Sequence, residues 1–197
     1  VFFTDSDFGA SITLKVIDSS TGSIANVVIM DGNSTVTIPV IDCIEIYNNS
    51  LYVISNKGMY KINLNNGNQF NTFHAQLISN NIRIKNLRSI AFLSETKFYG
   101  TSFGNFVDLI DLETNTITSL YQLDHPLKGV AIWKSQVFFA TQTEVLRLVN
   151  GELTSYAGKG VETGDGIPAS RAFMRPTGIQ IDQKRGILYV MQNLGES

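Results

Sequence analysis

Short runs of aromatic and β-branched residues recur along the chain at nearly even intervals. The runs are VFFTDS at Val1, LYVISN at Leu51, KFYGTS at Lys97, VFFATQ at Val137 and LYVMQN at Leu188. Their starts lie about 50, 46, 40 and 51 residues apart. This period is too long for a ladder of simple hairpins and fits one four-stranded sheet per repeat. The spacing therefore predicts a protein built from successive small sheets.

A second strand pattern precedes four of these runs. The segments are CIEI at Cys43, SIAF at Ser89, GVAI at Gly129 and GIQI at Gly178. Each has a small residue, a branched apolar one, a variable one and a large apolar one, so alternate side chains face a core and a neighbouring backbone comes close at the small position. Cys43 occupies that small position, and we expect it to be a small buried hydrophobe rather than a reactive thiol.

A third and a fourth strand are predicted after each of the first four runs. A polar turn separates them, as where MYKINL is followed by NNG or EVLRLV by NG. Asn and Gly supply the positive φ angles that tight hairpins need. No segment of about a dozen residues keeps a 3.6-residue period, so helix should be scarce. The chain is predicted to be all-β.

The stretch from Thr154 to Val190 carries the most specific motif. It contains an A-G-x-G strand end, a G-D-G-x-P-A-x-x-A loop, a P-x-G-I strand and an L-Y-V strand. The motif residues are Ala157, Gly158, Gly160, Gly164, Asp165, Gly166, Pro168, Ala169, Ala172, Pro176, Gly178, Ile179, Leu188, Tyr189 and Val190. Over this one repeat, residues 154–190, the chain resembles the NHL-repeat family of β-propellers. The resemblance implies a propeller of four-stranded antiparallel blades.

Propeller blades are assigned by combining this resemblance with the strand order. We expect a partial blade at 1–38, whole blades at 39–81, 82–124 and 125–172, and a partial blade at 173–197. Both ends carry the same second-strand element, so they duplicate rather than complement each other. We expect an open arc of about four to five blades from a larger propeller, one of six blades or more. Val1 lies within a predicted strand and no initiator Met precedes it, which favours a segment of a longer chain over a processed product.

The glycine-rich loop in this motif is predicted to be a rigid connector. Its glycines supply positive-φ positions, and Asp165 is able to accept backbone N–H groups. Pro168 suits the first position of a single helical turn, after which Phe173 and Met174 offer apolar anchors. A phosphate cradle is disfavoured because no Gly-Lys-Ser/Thr follows, and a calcium site because Glu162 is the only other acid nearby.

Composition limits the classes of partner. The 197 residues are 43% hydrophobic and 16% charged with a net charge of −2, and the Lys and Arg residues are scattered. This disfavours nucleic acid and anionic membranes as main partners, and no apolar run is long enough to span a bilayer. A single cysteine leaves the redox compartment open. Sequons at Asn33 and Asn48 leave glycosylation undecided.

Candidate catalytic and metal-binding groups are few. Only His74 and His125 are available for a triad or a zinc site; we expect His74 at the surface of an outermost strand and His125 in a turn. The best carboxylate candidates lie in or beside first strands and blade junctions: Asp42, Glu45, Asp124 and Asp182. Each also has a structural alternative in a turn or at a variable strand position. No catalytic, cofactor or metal residue is assigned.

Aromatic residues raise the alternative of a carbohydrate platform. The candidates are Trp133, Tyr52, Tyr99, Tyr121, Tyr156 and Tyr189. Most occupy strand positions, where packing between neighbouring sheets is the expected role.

Two functional hypotheses follow. The first is a non-enzymatic NHL-like propeller that binds protein, as a scaffold module in an extracellular or membrane-anchored assembly, with a cytoplasmic location as the alternative. The second is a propeller-class enzyme, similar to a lactonase-like hydrolase or an amidating lyase, with a metal in the central channel. A small-molecule ligand stays open under either hypothesis, since fold alone does not assign function.

Overall fold

The computed structural model describes the chain in several stretches that together form two compact units. The described residues are 2–5, 13–17, 21, 23–31, 34–36, 38, 41–64, 72–102 and 105–192. Unit 1 ends at Leu87 and unit 2 begins at Arg88. Asn33, the acceptor residue of the first sequon, lies outside the described residues.

The described residues of unit 1 form two sheets. Its elements are β1 (Phe2–Asp5), β2 (Thr13–Ile17), β3 (Ile24–Asn26), β4 (Val28–Asp31), β5 (Ser34–Val36), β6 (Ile41–Tyr47), β7 (Ser50–Ser55), β8 (Gly58–Asn63), β9 (Thr72–Ser79) and a short helix α1 (Ile82–Lys85). The first sheet has the order β1-β2-β3, and the second has the order β5-β4-β9-β8-β7-β6. All pairs are antiparallel except β4 with β9, which is parallel.

Strand β7 shows why the period-two pattern selects a strand here. Leu51 and Val53 point to one face and pack with Leu14 of β2 and Ile62 of β8. Tyr52 points to the opposite face and is also buried. Every residue of β7 is buried, as expected for an inner strand that is covered on both faces.

One predicted strand of unit 1 is divided in the structure. The fourth strand predicted after the first run corresponds to the segment SIANVVIM, residues 23–30, but this segment breaks at Val27 into β3 and β4. The Val27 N–H donates to the Leu14 carbonyl (2.8 Å), after which the chain leaves the first sheet and pairs with β9. This pairing covers the outer edge of β9, whose backbone groups would otherwise lack partners in a sheet.

Unit 2 contains two four-stranded sheets and a strand pair. Its strands are β10 (Leu87–Phe92, which begins at the last residue of unit 1), β11 (Lys97–Ser102), β12 (Phe106–Asp111), β13 (Thr116–Gln122), β14 (Gly129–Trp133), β15 (Gln136–Ala140), β16 (Glu144–Val149), β17 (Glu152–Gly158), β18 (Pro176–Asp182) and β19 (Ile187–Gln192). The orders are β10-β11-β12-β13, β14-β15-β16-β17 and β18-β19. The prediction of an all-β chain with four-stranded antiparallel sheets is confirmed. The hairpin tips of unit 2 use Asn with a positive φ as expected, Asn115 at 53° and Asn150 at 50°.

The three sheets of unit 2 stack face to face in chain order. On β15, Val137 and Phe139 pack with Val107 of the preceding sheet. Phe138 points to the opposite face and packs with Ile179 of the following strand pair. The middle sheet is therefore covered on both faces, and each fully buried Phe contributes about 1.5–3 kcal/mol of burial free energy.

A recurring irregularity marks the sheets as structural repeats. The pairing of the third strand with the fourth shifts by one residue in three sheets, at β8–β9, β12–β13 and β16–β17. The fourth-strand residues left opposite no partner are Ile78, Leu120 and Tyr156. An extra residue of this kind increases the local twist of a strand. Its recurrence at the same point supports a single repeated design.

Candidate functional site

A cleft of about 780 Å³ opens at one edge of the sheets of unit 2. It is lined by residues 128, 142–143, 159–160 and 173–177, which we call the cationic cleft. These residues lie just before β14, between β15 and β16, after β17 and at the start of β18. The strands that end at this edge therefore bring together residues that are distant in sequence.

The opposite edge of these sheets carries the turns that join β14 to β15, β16 to β17 and β18 to β19. Gly129 and Ile179 lie against each other at the cleft edge, where a side chain on Gly129 would come 3.1 Å from the Ile179 nitrogen. At the far end of the same strands, the Gln183 amide donates to the Ile132 carbonyl at 2.6 Å. We call this second end, with the turns at 134–135, 150–151 and 183–186, the hairpin edge.

The glycine-rich loop forms one wall of the cleft. Its two limbs are joined by backbone hydrogen bonds from Gly160 to the Ala172 carbonyl (3.2 Å), from Glu162 to the Arg171 carbonyl (3.2 Å) and from Phe173 to the Glu162 carbonyl (2.8 Å). The Arg171 guanidinium also pairs with the Glu162 carboxylate. The N–H groups of the two limbs are thus used within the loop and hold the limbs together.

Gly160 is required by the close approach of the two limbs. A Cβ at this position would lie 1.7 Å from the Arg171 carbonyl oxygen and 2.0 Å from its carbon, distances that no side chain tolerates. The limbs therefore pack backbone against backbone, which only glycine permits.

Three basic side chains line the cleft, and their environments differ. The Lys159 ammonium lies 3.1 Å from the Glu144 carboxylate, a side chain that is only 10% exposed. The Arg175 guanidinium lies over the Phe173 ring, 5.4 Å from its centroid. Within the described residues, neither Lys128 nor Arg175 forms an ion pair. The cleft therefore presents two uncompensated positive charges and one that is partly neutralised.

None of these residues was predicted to form a site. The Lys and Arg residues look scattered along the sequence, and Phe173 was expected to be an apolar anchor. In the structure Met174 packs against the core, whereas Phe173 is 39% exposed and faces the cleft. The available signal was positional, since Lys128, Lys159 and Arg175 each adjoin the end of a predicted strand.

The four candidate carboxylates are divided between the two units. Asp124 lies in the exposed connection before β14, at the cleft edge, whereas Asp182 lies at the hairpin edge. There the Asp182 side chain accepts hydrogen bonds from Lys184 N (2.9 Å) and Arg185 N (3.0 Å), the turn role that was weighed for it. Asp42 and Glu45 are half-buried in β6 of unit 1.

Glu45 has the most perturbed environment of these groups. It lies opposite Tyr52 in the β6–β7 pair. Burial of the carboxyl disfavours its charged form and raises the pKa of Glu45 from 4.5 to about 7. Cys43, two residues earlier, is half-buried rather than fully buried as the pattern predicted.

The two histidines are exposed, His74 in β9 and His125 in the connection before β14. The expectation that His74 lies on an outermost strand is wrong, because β4 pairs beyond β9 and places Met30 opposite His74. In the described part of the chain, no three His, Cys, Asp or Glu side chains are grouped to hold a metal ion. No helix in that part is long and apolar enough to cross a membrane.

The aromatic residues divide into two groups. Tyr52 is buried, and Tyr99 meets Phe139 edge to face with ring centroids 6.0 Å apart. Tyr121 packs in the same cluster and its hydroxyl donates to the Gly151 carbonyl. The exposed group contains Tyr156 and Tyr189, and Trp133 is half-buried beneath the Lys134 ammonium. Among the named residues of unit 2, the rings of Tyr99, Tyr121, Tyr156 and Trp133 each have a separate packing or cation–π contact, which is the structural role expected for them.

Solved structures resemble this chain in fold, at a sequence identity too low to indicate a shared function. Neither a family model nor a curated protein matches the chain. The chain is similar to the extracellular domain of a protein named as a hybrid two component system from B. thetaiotaomicron, with a TM-score of 0.51, 16% identity, and coverage of 96% of this chain and 24% of that one. It is also similar to an auxiliary nutrient binding protein from Bacteroides ovatus ATCC 8483, with a TM-score of 0.54, 14% identity, and coverage of 91% and 63%. The chain thus spans about a quarter of the first structure and less than two thirds of the second.

Proposed function

We propose that the chain is part of an NHL-like β-propeller that binds a protein partner through the cationic cleft. The observation that carries this proposal is the convergence of four chain segments on one cleft at a single edge of the sheets. Loops that project from rigid sheets are a common location for binding residues.

Two further features support the propeller. The sheets of unit 2 follow one another in chain order and cover each other's faces. The same register shift recurs in three sheets, two in unit 2 and one in unit 1. Repeated four-stranded sheets of this kind are the building blocks of propellers. An experimental structure of the full-length protein tests this directly: blades should radiate from a common axis, and a continuous flat sheet would refute the propeller.

We place the binding module outside the cell or at its surface. The names of the two similar structures, an extracellular domain and a nutrient binding protein, support this location. Labelling of intact cells with a membrane-impermeant amine reagent should modify the full-length protein. Labelling only after lysis would contradict an external location.

Site-specific crosslinking tests the binding role. A photoreactive phenylalanine analogue at Phe173 should crosslink a partner, because the ring is exposed at the cleft. The same analogue at Asn150, at the hairpin edge, is the matched control and should not. The captured protein is then purified and rebound to the unmodified chain. Equal crosslinking at both positions, or none at Phe173, would refute binding at the cleft.

A further inference from the structure

We infer that the cationic cleft recognises an extended acidic peptide segment, whose carboxylates pair with Lys128 and Arg175 and whose apolar side chain covers Phe173. This inference rests on the proposed binding function and specifies the chemistry of the ligand.

The charge of the cleft argues for an anionic ligand. Among the residues that the structure describes, its lining includes Lys128, Lys159 and Arg175 and no acidic residue. Even after Glu144 compensates Lys159, two positive charges remain, within a chain whose net charge is −2. A local charge opposite to that of the whole chain attracts ligands of the complementary sign and selects against others.

The use of the backbone argues against a phosphate cradle. Such cradles present several free backbone N–H groups to the anion. Here the N–H groups of Gly158, Gly160 and Glu162 donate to carbonyls within the loop. Recognition therefore depends on side chains, among which a guanidinium offers the paired donors that suit a carboxylate.

The size and polarity of the cleft argue for more than a single ion. A volume of about 780 Å³ is far larger than one small anion occupies. Phe173 gives the site an apolar surface, and the guanidinium of Arg175 is held over its ring. Ordering of Arg175 by this contact reduces the entropy lost when it binds a carboxylate. An extended peptide that carries carboxylates next to an apolar side chain would match both the basic side chains and the Phe173 ring.

Paired peptides test the inference. Fluorescence anisotropy is measured with a labelled peptide Glu-Asp-Phe-Glu-Asp and its neutral counterpart Gln-Asn-Phe-Gln-Asn. The acidic peptide should bind about tenfold more tightly at low salt, and its advantage should shrink as salt screens the charges. Equal binding of the two peptides would overturn the inference.

Charge-neutralising variants locate the interaction. Lys128→Gln and Arg175→Gln should each weaken the acidic peptide by about threefold to tenfold, since each removes one charge-assisted contact. Lys184→Gln removes the same charge from the exposed hairpin edge and should leave affinity unchanged. Equal losses in all three variants would reduce the effect to net charge and overturn the inference. Circular dichroism verifies that each variant is folded.

Competitors separate the possible sources of negative charge. Inorganic phosphate should not displace the acidic peptide beyond the effect of ionic strength. A single-stranded oligonucleotide of equal formal charge should bind more weakly than the peptide. Stronger oligonucleotide binding that depends on Lys128 and Arg175 would overturn the peptide assignment in favour of nucleic acid. Partner crosslinking at Phe173 without acidic selectivity would refute this inference alone and leave the proposed binding role standing.

Discussion

Glu45→Gln is expected to remove a pH-dependent cost of folding from unit 1. The folded-state pKa of Glu45 is raised to about 7 by burial, from an ordinary value of 4.5. The folded chain therefore holds this proton more tightly than the unfolded chain does. Below pH 4.5 the carboxyl is protonated in both states and imposes no cost. Between pH 4.5 and 7 the carboxyl ionises in the unfolded chain but stays largely protonated in the folded chain. The free energy of unfolding therefore falls as the pH rises through this range.

The size of this loss follows from the shift. A difference of about 2.5 pKa units corresponds to about 3 kcal/mol above pH 7, an upper limit because Glu45 keeps some contact with water. Glutamine has nearly the same shape and stays neutral. The variant should match the native chain near pH 4.5 and exceed its free energy of unfolding by up to about 3 kcal/mol at pH 8.

Urea unfolding at a series of pH values, followed by circular dichroism, measures this difference. Asp124→Asn removes one exposed carboxylate and serves as the control, with an expected effect within about 0.5 kcal/mol across the range. NMR titration of the Glu45 carboxyl carbon reads the pKa directly. A midpoint near 4.5, or a stability difference between Gln and Glu that does not vary with pH, would refute the reasoning.

Two further substitutions test the packing of unit 2. Phe139→Ala empties a fully buried site between two sheets and should lower the free energy of unfolding, measured in urea, by about 3–5 kcal/mol. Tyr189 is half-exposed, so the control Tyr189→Ala should lower it by about 1 kcal/mol or less. A small loss for Phe139→Ala would contradict the stacking of these sheets. Gly160→Ala should separate the loop limbs, lower the free energy of unfolding by about 1–3 kcal/mol and speed amide exchange at Glu162. A side chain at Gly151 would meet no neighbour, so the control Gly151→Ala introduces only the backbone strain of a φ of 84°.

The regular part of the fold was predictable because its signals are local. The run LYVISN fixes an inner strand through alternating large side chains, and Asn150 with Gly151 specifies a hairpin through positive φ angles. The break at Val27 has no such signal. It depends on the pairing of β4 with β9, whose residues lie more than forty positions further on, and residue periodicity carries no information about that pairing.

The cationic cleft was missed for a related reason. Lys128, Lys159 and Arg175 look scattered in sequence, and the register of four strand ends is what brings them to one place. The hydrogen-bonded limbs of the glycine-rich loop position Phe173 at the cleft. Successive side chains along this extended segment point in opposite directions. Met174 faces the core, so its neighbour Phe173 faces outward.

The register shift shared by three sheets has an evolutionary consequence. The unpaired residue falls at the same point in the fourth strand of each of the three sheets. The side chains therefore switch between the inner and the outer face at the same position in every copy. A duplication that adds one whole copy, or a deletion that removes one, would keep apolar faces packed against apolar faces without compensating mutations. A change in the number of whole copies should therefore be tolerated more readily than a change in the length of any one copy.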